Sequence, residues 1–194
     1  ASMTSANGGT VLLQAGEYSF GPGGNPSPLN DLRWLKIAPA QGVARDDVVI
    51  NTSATGGFGS RARLVRLSGL SILGQPRLTG QFLWIEDCKV VGDRTANYSI
   101  INASWAKGVY VTDSFVTESR NGLRGADFMR NVEYGVSSGS PFGDSSFVVN
   151  CSVERYDNSG TAFHGDVLHW FFTNNDRENV IAYGLRVAGS HGAN

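Results

Sequence analysis

Residues Phe163 to Trp170 read FHGDVLHW and hold two of the chain's three histidines, His164 and His169, with Asp166 between them. An imidazole beside a carboxylate suits general acid–base work, because histidine titrates near neutral pH and a carboxylate can orient it. β-Elimination on a uronate polymer needs a cation for the carboxylate, a base for the neighbouring ring proton and an acid for the leaving oxygen. Arg124 is the candidate cation and His164 the candidate base. Glycoside hydrolysis instead needs two carboxyl groups, about 5.5 Å apart for retention or roughly 6.5–9.5 Å for inversion, and Asp144 with Asp166 is the candidate pair. In a regular strand His164, Asp166 and Leu168 project to one face, while Gly165, Val167 and His169 project to the other. His169 is therefore expected to point inward, unless a bulge reverses it. A structural role for the HGD group stands beside the catalytic one, since Asp and His also cap turns.

The elements that must position these residues follow from the rest of the chain. With 194 residues, 41% of them hydrophobic, it can form one domain around a substantial core. Its 16 Lys and Arg against 17 Asp and Glu give a net charge of -1, which supplies no global field to attract nucleic acid or an acidic membrane. No apolar run approaches the ~20 residues of a membrane-spanning helix, so membrane insertion is not expected. The opening ASMTSANGG lacks the charged and apolar regions of a signal peptide, yet a processed terminus would leave secretion open. The apolar segments are short, rich in Val, Ile, Phe and Tyr, and punctuated by Gly, Asn, Asp and Ser, which predicts strands and turns with few helices.

Stacking those segments reveals a repeat. LSGLSI (67–72), IEDCKV (85–90), VTDSFV (111–116), MRNVEY (129–134), VVNCSV (148–153) and AYGLRV (182–187) align on one column: Gly69, Asp87, Asp113, Asn131, Asn150 and Gly184. These residue types tolerate a left-handed or bridging backbone at a tight bend. Positions two before, one after and three after the bend are apolar or small, while the position two after is mostly polar, as expected of strands meeting at a corner. Successive bends lie 18, 26, 18, 19 and 34 residues apart. The preserved column predicts a right-handed parallel β-helix spanning 1–194, part of a longer chain or larger assembly; an antiparallel β-sandwich is the alternative. Between bends, YSIINAS (98–104), NGLRGAD (121–127), SPFGD (140–144), FHGDVLHW and AGSHGAN (188–194) are expected to add a second strand to each coil. That sheet would gather Arg124, Asp144, His164, Asp166, His169 and His191 at a surface groove.

GGTVLLQAGEYSF (8–20) resembles the opening strand of pectate-lyase-like β-helix proteins, and HGDVLHWF with ENVIAYGLRVAG (178–189) resembles a pair of their later strands. That superfamily holds polysaccharide lyases, glycoside hydrolases, epimerases, phage tailspikes and adhesins. The resemblance implies an extracellular or virion-associated carbohydrate-interacting protein with a polysaccharide partner, able to cleave it by lyase or hydrolase chemistry. Calcium is the one cofactor it implies. The competing expectation is a non-catalytic structural component of a phage tail, fibre or cell-surface assembly. SHG (190–192) resembles the Gly-His-Gly element of polygalacturonase-type hydrolases, but their adjacent double aspartate is missing. HGD likewise lacks the second aspartate of the Asp-Pro-His-Asp motif of alginate epimerases.

Three further expectations follow. Cys88 and Cys151 share an inward column three coils apart, about 14 Å at ~4.8 Å per coil, too far for a disulfide, so both are expected to be buried thiols. Arg66, Trp84 and Tyr110 are candidate substrate-binding residues; they share the column three before the bend with Phe128, Phe147 and Ile181, and such rings either stack on sugars or pack. Phe115 is a further candidate stacking ring, and Arg61, Arg63 and Arg77 join Arg66 as a candidate anion site or a solvated edge. Finally, the sequence stops just after a strand-like repeat, which predicts a fragment or an edge covered by another subunit, as in a homotrimer.

Overall fold

The bend column is the organising feature of the computed structural model, which describes residues 9–19, 34–51, 64–74, 82–92, 108–120, 122–123, 125–157, 167–168, 180–188 and 190–191. All six bend residues adopt positive φ: 66° at Gly69, 49° at Asp87, 53° at Asp113, 54° at Asn131, 51° at Asn150 and 67° at Gly184. Asp and Asn enter this left-handed region more readily than other side chains, and Gly enters it without steric cost. At 184 a Cβ would also lie 2.5 Å from Asn150 Oδ1, so a larger residue there would displace that side chain.

Short strands flank these corners. In chain order they are β1 (Gly9–Leu13) and β2 (Gly16–Ser19), β3 (Leu35–Pro39) and β4 (Val48–Asn51), β5 (Leu64–Ser68) and β6 (Ser71–Leu73), β7 (Phe82–Glu86) and β8 (Lys89–Val91). There follow β9 (Gly108–Thr112) and β10 (Phe115–Thr117), β11 (Phe128–Arg130) and β12 (Glu133–Ser137), β13 (Phe147–Val149) and β14 (Ser152–Asp157), β15 (Ile181–Tyr183) and β16 (Arg186–Val187), then β17 (Ser190–His191). The odd-numbered strands from β1 to β15 form one eight-stranded sheet in sequence order, and the even-numbered strands form the other, with β17 beside β14. Every pairing described is parallel, for example β7 with β9 and β12 with β14. The architecture is a parallel β-helix, and the antiparallel sandwich is excluded. The described residues contain no α-helix; a 3-10 turn at Arg45–Asp47 leads into β4.

Because the strands stack in register, like residues stack too. Leu67, Ile85, Val111, Met129 and Val148 form one buried column before the bend, and Ile72, Val90, Val116, Tyr134 and Val153 another after it. Each buried aliphatic contributes roughly 1.5–3 kcal/mol relative to exposure. Cys88 and Cys151 sit inside as free thiols. Burial pushes the Cys88 thiol up to about 11, and burial raises Cys151 likewise. Both thiols are therefore protonated at neutral pH and poor nucleophiles.

The remaining side of the coils departs from expectation. NGLRGAD and SPFGD do not form strands where described: residues 122–123 and 125 are turns, Pro141–Asp144 is a turn, and Val167–Leu168 is a bend. Stacking survives through backbone bonds, with Gly125 N–H donating to Gly143 O at 2.8 Å and Phe142 N–H to Val167 O at 3.3 Å. Leu123 and Phe142 reach the core from these turns, and Phe142 packs edge-on against Tyr134 with ring centroids 4.9 Å apart. The Tyr134 hydroxyl accepts from Leu123 N–H at 3.0 Å and donates to Pro141 O at 2.9 Å. Burial holds that hydroxyl far above the usual phenol range.

Candidate functional site

Every second side chain of the first sheet faces outward. Its parallel register places Lys36, Arg66, Trp84, Tyr110, Phe128, Phe147 and Ile181 on successive strands, one above another. Rungs of such a ladder repeat at ~4.8 Å. Tyr110 is 40% exposed and Phe147 39%, whereas Trp84 and Phe128 are half-buried. Tyr110 and Phe128 lie tilted at 46° with centroids 6.5 Å apart. The three expected binding residues, Arg66, Trp84 and Tyr110, are thus brought together on one face.

Trp84 is held from three directions. Its Nε1–H donates to Thr112 Oγ1 at 3.1 Å, the Arg66 guanidinium carbon lies 4.2 Å from its ring centroid, and the Trp34 ring meets it edge-on at 6.3 Å. Arg66 is itself committed: its Nε donates to Glu86 Oε2 at 3.0 Å, its terminal nitrogen pairs with the same oxygen, and Ser68 Oγ also donates to it at 3.1 Å. Stacking a guanidinium on indole adds attraction beyond the ion pair.

Two aromatic residues of this face were not singled out from sequence. Trp34 is 40% exposed just ahead of β3, and Phe82 lies over Gly108, where a Cβ would come within 2.6 Å of the ring. Phe82 precedes Trp84 by two, so alternation alone puts both on one face. Phe115 differs: it is on the second sheet, half-buried over Gly135. The rest of that sheet's outer face mixes polar residues with the half-buried aliphatics Val49, Leu73 and Val91. Asp46 of the 3-10 turn accepts from Ser71 Oγ at 3.1 Å and faces Lys89 Nζ at 3.6 Å and Arg45 Nε at 3.5 Å. The Ser71 hydrogen bond, aided by the two cations against some desolvation, holds the Asp46 carboxyl below its ordinary value.

The candidate catalytic group divides differently. Asp144 ends the Pro141–Asp144 turn, half-buried with φ 54°. Arg124, His164 and Asp166 lie outside the described residues, as do His169, Arg61, Arg63 and Arg77. His191 is described as a strand residue paired with Asp157. Among the described residues no three His, Cys, Asp or Glu side chains gather as a metal ion would require. No helix among them is long and apolar enough to cross a membrane. No family model, curated protein or solved structure matches this chain.

Proposed function

We propose that this β-helix is an extracellular or virion-associated carbohydrate-interacting protein of the pectate-lyase-like kind, and that the outer face of its first sheet is where a polysaccharide lies. The observation that carries the reading is the ring column Trp84–Tyr110–Phe128–Phe147, aligned by parallel register with Tyr110 and Phe147 open to solvent. Aromatic side chains offer flat apolar area with small loss of freedom, which suits the C–H face of a sugar ring. Cleavage would be an added activity, with His164 as base and Arg124 as cation in a lyase, or Asp144 with Asp166 in a hydrolase.

Affinity electrophoresis through gels containing a panel of polysaccharides tests the binding reading. Retardation by at least one glycan is expected, and free migration through all of them would overturn it. Assaying unsaturated or reducing ends with wild type and with His164→Ala and Asp166→Ala tests the catalytic addition separately. A second reading, a structural component of a tail, fibre or surface assembly such as a trimer, draws support from β15 and β16. There Tyr183 is 70% exposed and Val187, whose column is buried from Ile50 to Val153, is 49% exposed.

A further inference from the structure

At the end of the second sheet remote from the bend column, the coils turn a second corner. Past β10 the chain bends at Glu118, which is exposed with φ 50°. Ser119 follows it and pairs with Ser137 of β12, which pairs in turn with Tyr156 of β14, so these residues stand on successive rungs. Ser119 is 1% exposed and Ser137 and Ser138 are 0% exposed, yet their three hydroxyls have no hydrogen-bond partner among the described residues. The backbone there is engaged, with Ser119 N–H donating to Val136 O at 3.3 Å and Ser138 N–H to Ser119 O at 3.1 Å. Two charged residues, Arg120 and Asp157, are buried at the same corner, and Asp157 Oδ2 accepts from Arg155 Nη2 at 2.9 Å. We infer that this corner is a built-in binding site for water, an inference independent of the glycan reading.

The bend column supplies the contrast. Ser114, also buried, donates its hydroxyl to Thr112 O at 2.8 Å and accepts from Cys88 N–H at 3.1 Å, so the backbone of this fold can satisfy a buried serine. Leaving a buried hydroxyl without a partner is costly, and three at one corner call for a ligand. Rungs ~4.8 Å apart hold stacked hydroxyls beyond direct reach of each other, but a water with two bonds of about 2.8 Å spans such a gap. A buried water makes about three hydrogen bonds, which is what Ser119, Ser137 and Ser138 together offer. The buried Arg120 disfavours a cation here and the buried Asp157 an anion, which selects a small neutral ligand.

Magnetic relaxation dispersion of water oxygen, which counts long-lived internal waters, tests this together with urea unfolding. Ser119→Ala combined with Ser137→Ala should reduce the dispersion amplitude by about one water molecule and lower the urea midpoint, because Ser138 is then left without its bridge. The sign of the midpoint shift is decisive. Deleting dry, unpartnered hydroxyls would raise it, so a higher midpoint or an unchanged amplitude in the double variant would overturn the inference. Ser114→Ala, which removes a hydroxyl already bonded to the backbone, should lower the midpoint and leave the amplitude as in wild type. An equal loss of amplitude there would assign the signal to general loosening of the coils and overturn the site. A midpoint that differs between sodium and potassium chloride at equal concentration, and does so only while both serines are present, would hand the corner to a cation instead.

Discussion

On the first sheet the outward position three before the bend passes from Arg66 to Trp84, Tyr110, Phe128 and Phe147; on the second, the outward position two after it passes from Ser71 to Lys89, Phe115, Glu133 and Ser152. Both columns rise on the same parallel ladder at the same spacing, around one shared core. The backbone therefore requires rings on neither. Where the second sheet does carry a ring, Phe115, it fills the space above Gly135. Phe147 has no such duty and remains open to water. The contrast separates side chains that complete the fold from side chains the fold merely displays.

Substitutions at five positions would break or sharpen that contrast. The largest effect is expected from Ile85→Ala, which opens a cavity between the two sheets; urea unfolding should show a loss of about 2–5 kcal/mol, and both faces should fail together. Tyr134→Phe comes next. It leaves Leu123 N–H and Pro141 C=O without their buried partner, at about 1–3 kcal/mol by the same measurement, and loosens the turn side first. Asn131→Val should cost about 1–2 kcal/mol because a β-branched side chain resists the left-handed bend, while Asn131→Gly should restore most of it. The smallest effect distinguishes the faces themselves: Phe147→Ala should reduce glycan retention severalfold with an unchanged Tm, whereas Glu133→Ala should alter neither retention nor, beyond about 0.5 kcal/mol, stability. Equal effects of these two on binding would erase the contrast.

The corners were the most legible part of the sequence, because Gly, Asn and Asp pass most easily through positive φ and one recurring position always holds one of them. Once that column is fixed, alternation assigns the inward and outward sets, including Arg66, Trp84 and Tyr110. The turn side was misread at 121–127 and 140–144 where it is described, while 98–104 lies outside the described residues and 188–194 does hold a strand, β17. Leu123 and Phe142 imitate strand residues, but their Gly and Pro neighbours let single apolar side chains dip into the core from a turn, a pattern that short apolar runs do not distinguish from a strand. The Arg66–Glu86 pair was missed because it joins two outward columns diagonally, and a comparison made down each column separately never sets them side by side.

Bends may fall 18 or 34 residues apart and the strands still meet rung for rung, as β13 meets β15 across the longest interval. Length and register are thus uncoupled in this scaffold. A coil can take in a loop, or shed one, without shifting the ring column by a single position. Residues gained between coils are free to change the chemistry beside that column while its spacing stays fixed. Such a chain can acquire new specificity by insertion and leave its ruler untouched.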